Sequence, residues 1–180
     1  VSAREFGGSD TYATSGILAA ALKKLGYDLI ITGRQAIDGD TAQVGPQIAE
    51  KLGVPQVSYV EEVKEANEEF VVVRRQFEDG YHIIKIKTPC LLTAIAELAT
   101  PRYMSVRGIV EAYEKEIKVI GFEELKDNLE LDMIGLKGSP TNVYQSFTKE
   151  VKGAGTILKD ISADEAVKAI VDKLEEKFII

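Results

Sequence analysis

The stretch DLIITGRQAIDGDTAQVGP, residues 28–46, sets a short apolar run directly before a loop rich in glycine and acidic residues. The continuous apolar run 28–32 is typical of a strand that is buried on both faces of a parallel sheet. After the loop, Ile48, Ala49 and Leu52 recur at helical spacing. Strand, loop and helix in this order predict βαβ units. The fold class is therefore α/β, with a mostly parallel open sheet and helices on both of its faces.

The loop 33–46 is where we expect the phosphates of a nucleotide to bind. Ligands of open α/β sheets bind outside the carboxyl ends of the strands. The free amides at a helix start, together with the positive end of the helix dipole, attract phosphate. The three glycines of this loop allow a close approach between backbone and ligand. Asp38 and Asp40 are candidates to accept hydrogen bonds from ribose hydroxyls.

A plainer interpretation of the same residues is a capping box, with Asp40 at the N-cap and Gln43 three residues later. The spacing alone favours neither interpretation. Pro46 would remove an amide about one turn into a helix that starts at Thr41. Either the helix starts later, with Pro46 in its first turn, or it is locally distorted.

A second glycine-rich loop, residues 7–11, opens a helix that we predict over Thr11–Leu25, with Asp10 as its N-cap. The loop resembles the glycine-glycine-x-aspartate-serine core of ATP pyrophosphatase loops, whose amides grip a pyrophosphate. Phe6 stands where the leading serine of those loops is expected. A simple N-cap is the alternative.

The pattern changes from helices to strands after Pro55. Residues 56–63 and 70–75 read as strands, and Glu78-Asp79-Gly80 supplies turn residues before a further strand over 81–87, so the last two strands predict a β-hairpin. The apolar run 90–95 is another strand candidate.

The C-terminal part of the chain is expected to extend away from the sheet. Helices are predicted over residues 102–116 and 163–178, the second capped by Ser162 or Asp164. Residues 127–160 carry Gly, Pro, Ser and Asn without periodicity, which is typical of a long arm. We therefore predict a nucleotide-binding domain over 1–146, and a C-terminal arm and helix over 147–180. Because Val1-Ser2 reads as the end of a strand, we expect the sequence to be a fragment whose first strands are missing.

Composition excludes several function classes. A net charge of −7 with scattered basic residues argues against a nucleic-acid binder. The single cysteine excludes an internal disulfide and a thiolate metal cluster, and metal-ligand spacing is absent. His82 has no partner that could act as a base, so no catalytic residues are assigned. A bound cofactor is expected to carry out any chemistry. Because a single cysteine allows no internal disulfide, the cytoplasm is the expected compartment. The apolar runs are too short for membrane insertion.

Three segments resemble the β subunit of electron-transfer flavoproteins, and the resemblance extends over nearly all 180 residues. They are GRQAIDGDTAQVGPQIAEKLGVPQ (33–56), VRRQFEDGYHIIKIKTPCLLT (73–93) and ATPRYMSVRGI (99–109). The family usually carries Glu or Gln where His82 or Ile83 stands, and roughly the first third of a family chain is absent here.

The resemblance implies an adenine-nucleotide alpha-hydrolase-like fold and a heterodimer with an electron-transfer flavoprotein α subunit, which the arm 147–180 would contact. It implies electron transfer between an acyl-CoA or other flavin dehydrogenase and a quinone reductase or ferredoxin-linked acceptor. Leu98 takes the place of the leucine that anchors the dehydrogenase, beside Arg102 and Tyr103, although an ordinary core leucine is the alternative. The implied cofactor-binding residues are Asp10, Thr11, Thr14, Asp38, Gly39, Asp40, Thr41, Ala42, Gln43, Val44 and Gly45.

The identity of the nucleotide depends on three loop positions. Members that hold structural AMP look like GKQAIDDDxNQTGQ here, whereas this chain has Gly39, Ala42 and Val44. Smaller and less polar side chains leave more room beside a pyrophosphate. These three loop residues, together with the segment FGGSDTYAT (6–14), resemble the corresponding residues of the members that bind a second FAD and bifurcate electrons. FAD is therefore expected, with AMP in a non-bifurcating subunit as the alternative. An ATP-pyrophosphatase-type ligase and a redox-inactive AMP-binding module are the competing classes.

Overall fold

The computed structural model describes residues 1–149, 153 and 155–180. The chain forms two compact units, Val1–Asn142 and Val143–Ile180. Part of the predicted arm, residues 150–152 and 154, lies outside the described residues.

The first unit is built on one five-stranded sheet in the order β1-β5-β2-β3-β4. β1 pairs with β5, and β5 with the start of β2, in parallel, whereas β2, β3 and β4 form an antiparallel meander. The predicted open α/β sheet and its hairpin are confirmed. The strands are β1 Leu29–Gly33, β2 Gln56–Ala66, β3 Phe70–Phe77, β4 Gly80–Lys87 and β5 Cys90–Ala94.

β2 is longer than predicted because it serves both parts of the sheet. Its first residues follow β5, with Val57 opposite Leu92, and from Val60 onward it follows β3. The register shifts between Val57 and Val60, where Tyr59 has a left-handed backbone with φ of 59°. Such a bulge bends a strand away from its neighbour, and here it marks the change from parallel to antiparallel pairing.

Apolar side chains of β5 pack on both faces of the sheet. Leu91 joins a cluster under the helix that follows β1, while Cys90 and Leu92 join a second cluster on the opposite face, to which Leu98 adds its side chain. The first cluster contains Ile30, Ile48, Ala49 and Leu91. The second contains Val57, Val60, Val71, Val73, Ile86, Cys90 and Leu92. Burial raises the pKa of the Cys90 thiol, which fits an inert packing role.

The prediction that β1 is buried on both faces is wrong for the described chain. Ile30 is 6% exposed, but its neighbours Leu29 and Ile31 are 38% and 58% exposed. β1 is an edge strand of the sheet, and no described element covers the face that carries Leu29 and Ile31.

Two helices frame the loop that follows β1. Helix α1, Thr11–Leu25, has the predicted bounds, and the Asp10 carboxylate caps it by accepting a hydrogen bond from the Ala13 amide at 3.0 Å. Helix α2, Val44–Leu52, packs on β5 and against α1. Both helices therefore direct their N-terminal ends toward the same region of the unit.

Helix α3, Val106–Ala112, is shorter than the predicted span 102–116. The Ser105 side chain accepts a hydrogen bond from the Gly108 amide at 3.0 Å, which fixes the start of the helix four residues after the predicted residue 102. Val106 and Val110 are exposed. Since no packed face supports the helix, seven residues are all that form.

Residues 127–142 belong to the first unit and pack within it, so the prediction of a long arm from residue 127 is wrong there. Ile134 and Ser139 are buried. Gly135 has φ of 61°, a conformation that glycine adopts without strain. Turns of this kind show no periodic spacing of apolar residues, so the sequence pattern of this segment indicated a loop. The short helices here are α4 Phe122–Leu125 and α5 Gly135–Gly138, with 3-10 turns at Lys126–Asn128 and Leu131–Met133.

The second unit contains helix α6, Ala163–Glu176, close to its predicted bounds. Ser162 caps it, and the Glu165 side chain accepts a hydrogen bond from the Ser162 amide at 2.8 Å. Val167 and Ile170 of this helix are each 60% exposed. In the described part of the chain, no helix combines the length and apolar character needed to cross a membrane.

Candidate nucleotide-binding site

The loop between β1 and α2 lines a cleft of about 410 Å³ at the carboxyl end of the strand. Thr32 of β1 and Ile48 of α2 contribute to its walls, and Thr11 and Leu18 of α1 close it from the other side. The predicted position of the ligand, outside the carboxyl end of a parallel strand, is therefore a real concavity in the structure.

Five consecutive backbone amides, residues 41–45, have no acceptor among the hydrogen bonds of the described chain. The amide of Asp40 still donates to the Ala36 carbonyl at 3.0 Å, and the first helical bond runs from the Gln47 amide to the Gln43 carbonyl, also at 3.0 Å. Pro46 has no N–H. Unpaired amides at a helix start attract anions, and the helix dipole adds to that attraction.

The loop backbone is strained where these amides begin. Asp40 and Ala42 have φ of 52° and 53°, in the left-handed region that residues other than glycine seldom adopt. Ala42 is followed by Gln43 in the right-handed helical region. Alternation of this kind is typical of backbone nests, whose successive N–H groups bind anions. Strain of about 1–3 kcal/mol per residue is typical of ligand-binding loops.

The capping-box interpretation of residues 40–43 is wrong. Gln43, not Asp40, is the N-cap residue of α2, and its side chain makes no cap hydrogen bond. The Asp40 carboxylate instead accepts from the Gln35 side-chain amide. The alternative of a later helix start, with Pro46 in the first turn, is confirmed.

Gly45 brings the start of α2 against the sheet. A Cβ at this position would lie 2.7 Å from Thr32 Oγ1 and 2.8 Å from Thr93 Cγ2. No atom of the described residues lies within 4 Å of a Cβ added at Gly33 or Gly39. The free amides are therefore held in place by one close contact between helix and strands, and the other two loop glycines do not serve packing.

The N-terminus of α1 is tied directly to the loop. The Thr11 hydroxyl donates to the Gln43 side-chain oxygen at 2.9 Å. Asp10, Thr14 and Asp38 line neither this cleft nor the one beside it, whereas Asp40 lines the second cleft. The other predicted cofactor residues line the first cleft, namely Thr11, Gly39, Thr41, Ala42, Gln43, Val44 and Gly45.

The glycine-rich loop 7–11 is held by the segment that carries Ser139. The Asp10 amide donates to Ser139 Oγ at 2.8 Å, and the Asp10 carboxylate accepts from the Thr141 amide at 3.0 Å. Burial opposes ionisation of Asp10, but hydrogen bonds from the Ala13, Thr141 and Tyr12 backbone outweigh it and lower the pKa of the carboxyl. With its amide and carboxylate engaged, Asp10 acts as an N-cap, which supports the simpler alternative for this loop.

A second cleft, of about 930 Å³, adjoins the loop on the side of the hairpin and was missed in the sequence. Besides loop residues it is lined by Tyr59 of β2 and by Arg75, Gln76, Phe77 and Glu78 at the end of β3. The period of two in β3 offered a signal, because Arg75 and Phe77 fall on the same face as the buried Val71 and Val73.

The predicted partner-binding residues follow β5. Leu98 ends the 3-10 turn Ala96–Leu98 and packs, partly buried, against the second core cluster. Arg102 is exposed, and Tyr103 is fully exposed. His82 is exposed and stacks on Phe77 with ring centroids 4.8 Å apart. The geometry of Leu98 accommodates a core role, and its role as an anchor stays a prediction.

The family model for the electron transfer flavoprotein domain matches residues 1–125 of this chain. The chain is 55% identical over 186 residues to the acryloyl-CoA reductase electron transfer subunit gamma of Anaerotignum propionicum, covering 100% of this chain and 69% of that protein. It is 53% identical over 179 residues to the electron transfer flavoprotein subunit beta of Clostridium acetobutylicum, covering 98% of this chain and 67% of that protein.

A third relative is the caffeyl-CoA reductase-Etf complex subunit CarD of Acetobacterium woodii, 49% identical over 181 residues, with 100% of this chain and 68% of that protein covered. The family match covers more than half of the chain and includes the loop with its free amides. The chain therefore belongs to the electron transfer flavoprotein family, with relatives that are named as its β subunits.

Proposed function

We propose that this chain is the β subunit of a heterodimeric electron-transfer flavoprotein that binds FAD at the loop 33–46. In this proposal it passes electrons between a dehydrogenase and a downstream acceptor by flavin-based bifurcation. The observation that carries the proposal is the row of free amides at residues 41–45, held in strained backbone at the mouth of a cleft.

The residues present fit the phosphates of a nucleotide. The amides of 41–45 have no acceptor among the described residues, and the N-terminal end of α2 adds positive potential. Gly45 keeps this end of the helix close to the strands, so the donors are preorganised. Thr11, bonded to the Gln43 side chain, places the start of α1 beside them.

The choice of FAD over AMP rests on side chains around the cleft. Gly39, Ala42 and Val44 line it, and none of them carries a charge. A pyrophosphate has more negative charge than a monophosphate, so an acidic residue in this wall would oppose it more strongly. Bound FAD supplies one- and two-electron redox chemistry. The chain itself contributes binding, orientation and exclusion of water.

The names of two relatives support association of this chain with an enzyme that acts on acyl-CoA substrates. One is an acryloyl-CoA reductase electron transfer subunit, and another belongs to a caffeyl-CoA reductase-Etf complex. For this chain we propose association with an α subunit through residues 147–180 and with a flavin dehydrogenase through Leu98, Arg102 and Tyr103. The full exposure of Tyr103 fits a residue that is covered by a partner.

The test is a count of nucleotides in the purified heterodimer. Flavin absorbance and chromatography after denaturation would give the moles of FAD and AMP per heterodimer. Two FAD and no AMP support the proposal; one FAD and one AMP contradict it. A loop variant with Gly39→Asp, Ala42→Asn and Val44→Thr should lose one FAD per heterodimer. The matched control is Lys87→Gln, at the last residue of β4, which should retain both FAD molecules.

A further inference from the structure

Thr93 lies where the middle of the sheet, the start of α2 and the bulge of β2 come together. It is the fourth residue of β5 and is paired in parallel with Thr32 of β1. Its side chain is on the same face as that of Leu91, which packs with Ile48 and Ala49 of α2. Thr93 is only 1% exposed, so its hydroxyl needs a hydrogen-bond partner within the protein.

The hydroxyl of Thr93 is bonded to the bulge of β2. Thr93 Oγ1 accepts a hydrogen bond from the Tyr59 amide at 3.1 Å. Tyr59 lies at the register shift between Val57 and Val60, where the regular ladder between β2 and β5 is interrupted. Threonine is β-branched and has few χ1 rotamers, so a bond to one branch also fixes the direction of the other. The bond to Tyr59 therefore determines where the methyl group of Thr93 lies.

The methyl group of Thr93 faces Gly45 in the first turn of α2. A Cβ added at Gly45 would lie 2.8 Å from Thr93 Cγ2, 2.7 Å from Thr32 Oγ1 and 3.7 Å from Leu91 Cδ2. The helix start is therefore as close to the strands as these side chains allow. Gly45 carries the last of the five amides, 41–45, that have no acceptor among the described residues. The contact between Thr93 and Gly45 thus sets the distance of these amides from the sheet.

We infer that Thr93 is a positioning residue for the bound nucleotide: its hydroxyl is fixed by the bulge, and its methyl group holds the start of α2 at the distance that the phosphates require. The inference rests on the proposed function of the loop. Thr93 lines neither cleft, so it acts on the nucleotide only through Gly45. Hydrogen bonds weaken steeply when their angles depart from linearity, so a small shift of the helix start weakens several bonds to phosphate together.

The experiment uses the heterodimer of the full chain with its α subunit, after removal of the nucleotide from the β subunit. The probe is ADP, which carries the adenosine and the pyrophosphate of FAD, and its affinity is measured by calorimetric titration. Thr93→Ser keeps the acceptor for the Tyr59 amide and loses the methyl group, and it should weaken ADP about 5-fold or more. Thr93→Val keeps a methyl group toward Gly45 and should bind ADP more tightly than Thr93→Ser.

Two further variants separate positioning from a loss of stability. Ile86→Val removes one carbon atom from the core cluster on the opposite face of the sheet. It should lower the Tm as Thr93→Ser does and leave the affinity for ADP unchanged. Gly45→Ala combined with Thr93→Ser places a new methyl group where the old one was lost. This double variant should bind ADP more tightly than Gly45→Ala alone, although the close contact with Thr32 Oγ1 stays.

The outcomes distinguish this inference from the proposed function. A wild type that binds ADP, together with a Thr93→Ser variant of equal affinity, would overturn the positioning role and leave the proposed function intact. The same conclusion would follow if the losses of affinity in Thr93→Ser and Gly45→Ala simply added in the double variant. A wild-type heterodimer whose β subunit binds neither FAD nor ADP would overturn the proposed function and the positioning role with it.

Discussion

Substitution of Gly45 by alanine tests whether the start of α2 depends on close packing against the sheet. The new methyl group would lie 2.7 Å from Thr32 Oγ1 and 2.8 Å from Thr93 Cγ2, both shorter than real Cβ contacts. Neither threonine can rotate freely, because Thr93 Oγ1 accepts the Tyr59 amide and both side chains are β-branched. The helix start must therefore move away from the strands.

The expected cost follows from two opposing effects. Overpacking of a well-packed site costs about 1–3 kcal/mol, whereas alanine in a helix gains up to about 1 kcal/mol over glycine. The clash is larger, so we expect the free energy of unfolding to fall by about 1–2 kcal/mol. That corresponds to a decrease in Tm of roughly 2–8 °C for a protein of this size.

Chemical denaturation of Gly45→Ala would be compared with Gly39→Ala. Nothing lies within 4 Å of a Cβ added at Gly39, so that variant should stay within about 0.5 kcal/mol of the wild type. Nucleotide affinity should fall in Gly45→Ala as well, because the amides of 41–45 move with the helix start. Equal stability of the two variants would refute the packing argument.

Three further substitutions have defined outcomes. Asp10→Asn should lower the unfolding free energy by about 1 kcal/mol above pH 5, because hydrogen bonds from the Ala13 and Thr141 amides are stronger to a carboxylate than to a neutral amide oxygen. Urea denaturation measures the difference. The pKa of the Asp10 carboxyl is lowered in the folded protein, so its contribution to stability is complete above the unfolded pKa and is lost as pH falls through the folded pKa. The stabilities of wild type and variant should therefore converge in acid. A constant difference in unfolding free energy down to pH 2 would contradict this. Ala42→Gly should raise Tm slightly by relieving the left-handed strain, and a decrease in both Tm and FAD content would show that the strain was misassigned. Leu98→Ala should weaken electron transfer with the dehydrogenase at unchanged flavin content, and an unaffected transfer rate would leave only the core role of Leu98.

The sequence predicted those parts of the fold that local chemistry determines. Asp10 and Gly26 mark the ends of α1, the turn before Gly80 marks the hairpin, and Pro46 signalled the late start of α2. The bulge at Tyr59 was not predictable, because it arises where one strand changes from a parallel to an antiparallel neighbour. The glycine turns of 131–138 were also missed, since tertiary contacts and not periodicity form them.

One part of the candidate site was predicted from the sequence and the other was not. The loop 33–46 and its cleft were predicted because glycines, a helix start and a preceding strand are adjacent in sequence. The second cleft was not, because Arg75 and Arg34 are far apart along the chain and meet only through the sheet order β1-β5-β2-β3.

In the function proposed above, the free amides of residues 41–45 hold the nucleotide phosphates. Hydrogen exchange of the heterodimer, measured with and without FAD in the β subunit, tests it most directly. We expect FAD to slow exchange at the amides of 41–45 and to leave exchange at the amides of α6, Ala163–Glu176, unchanged. Unchanged exchange at 41–45 while FAD is bound would contradict it.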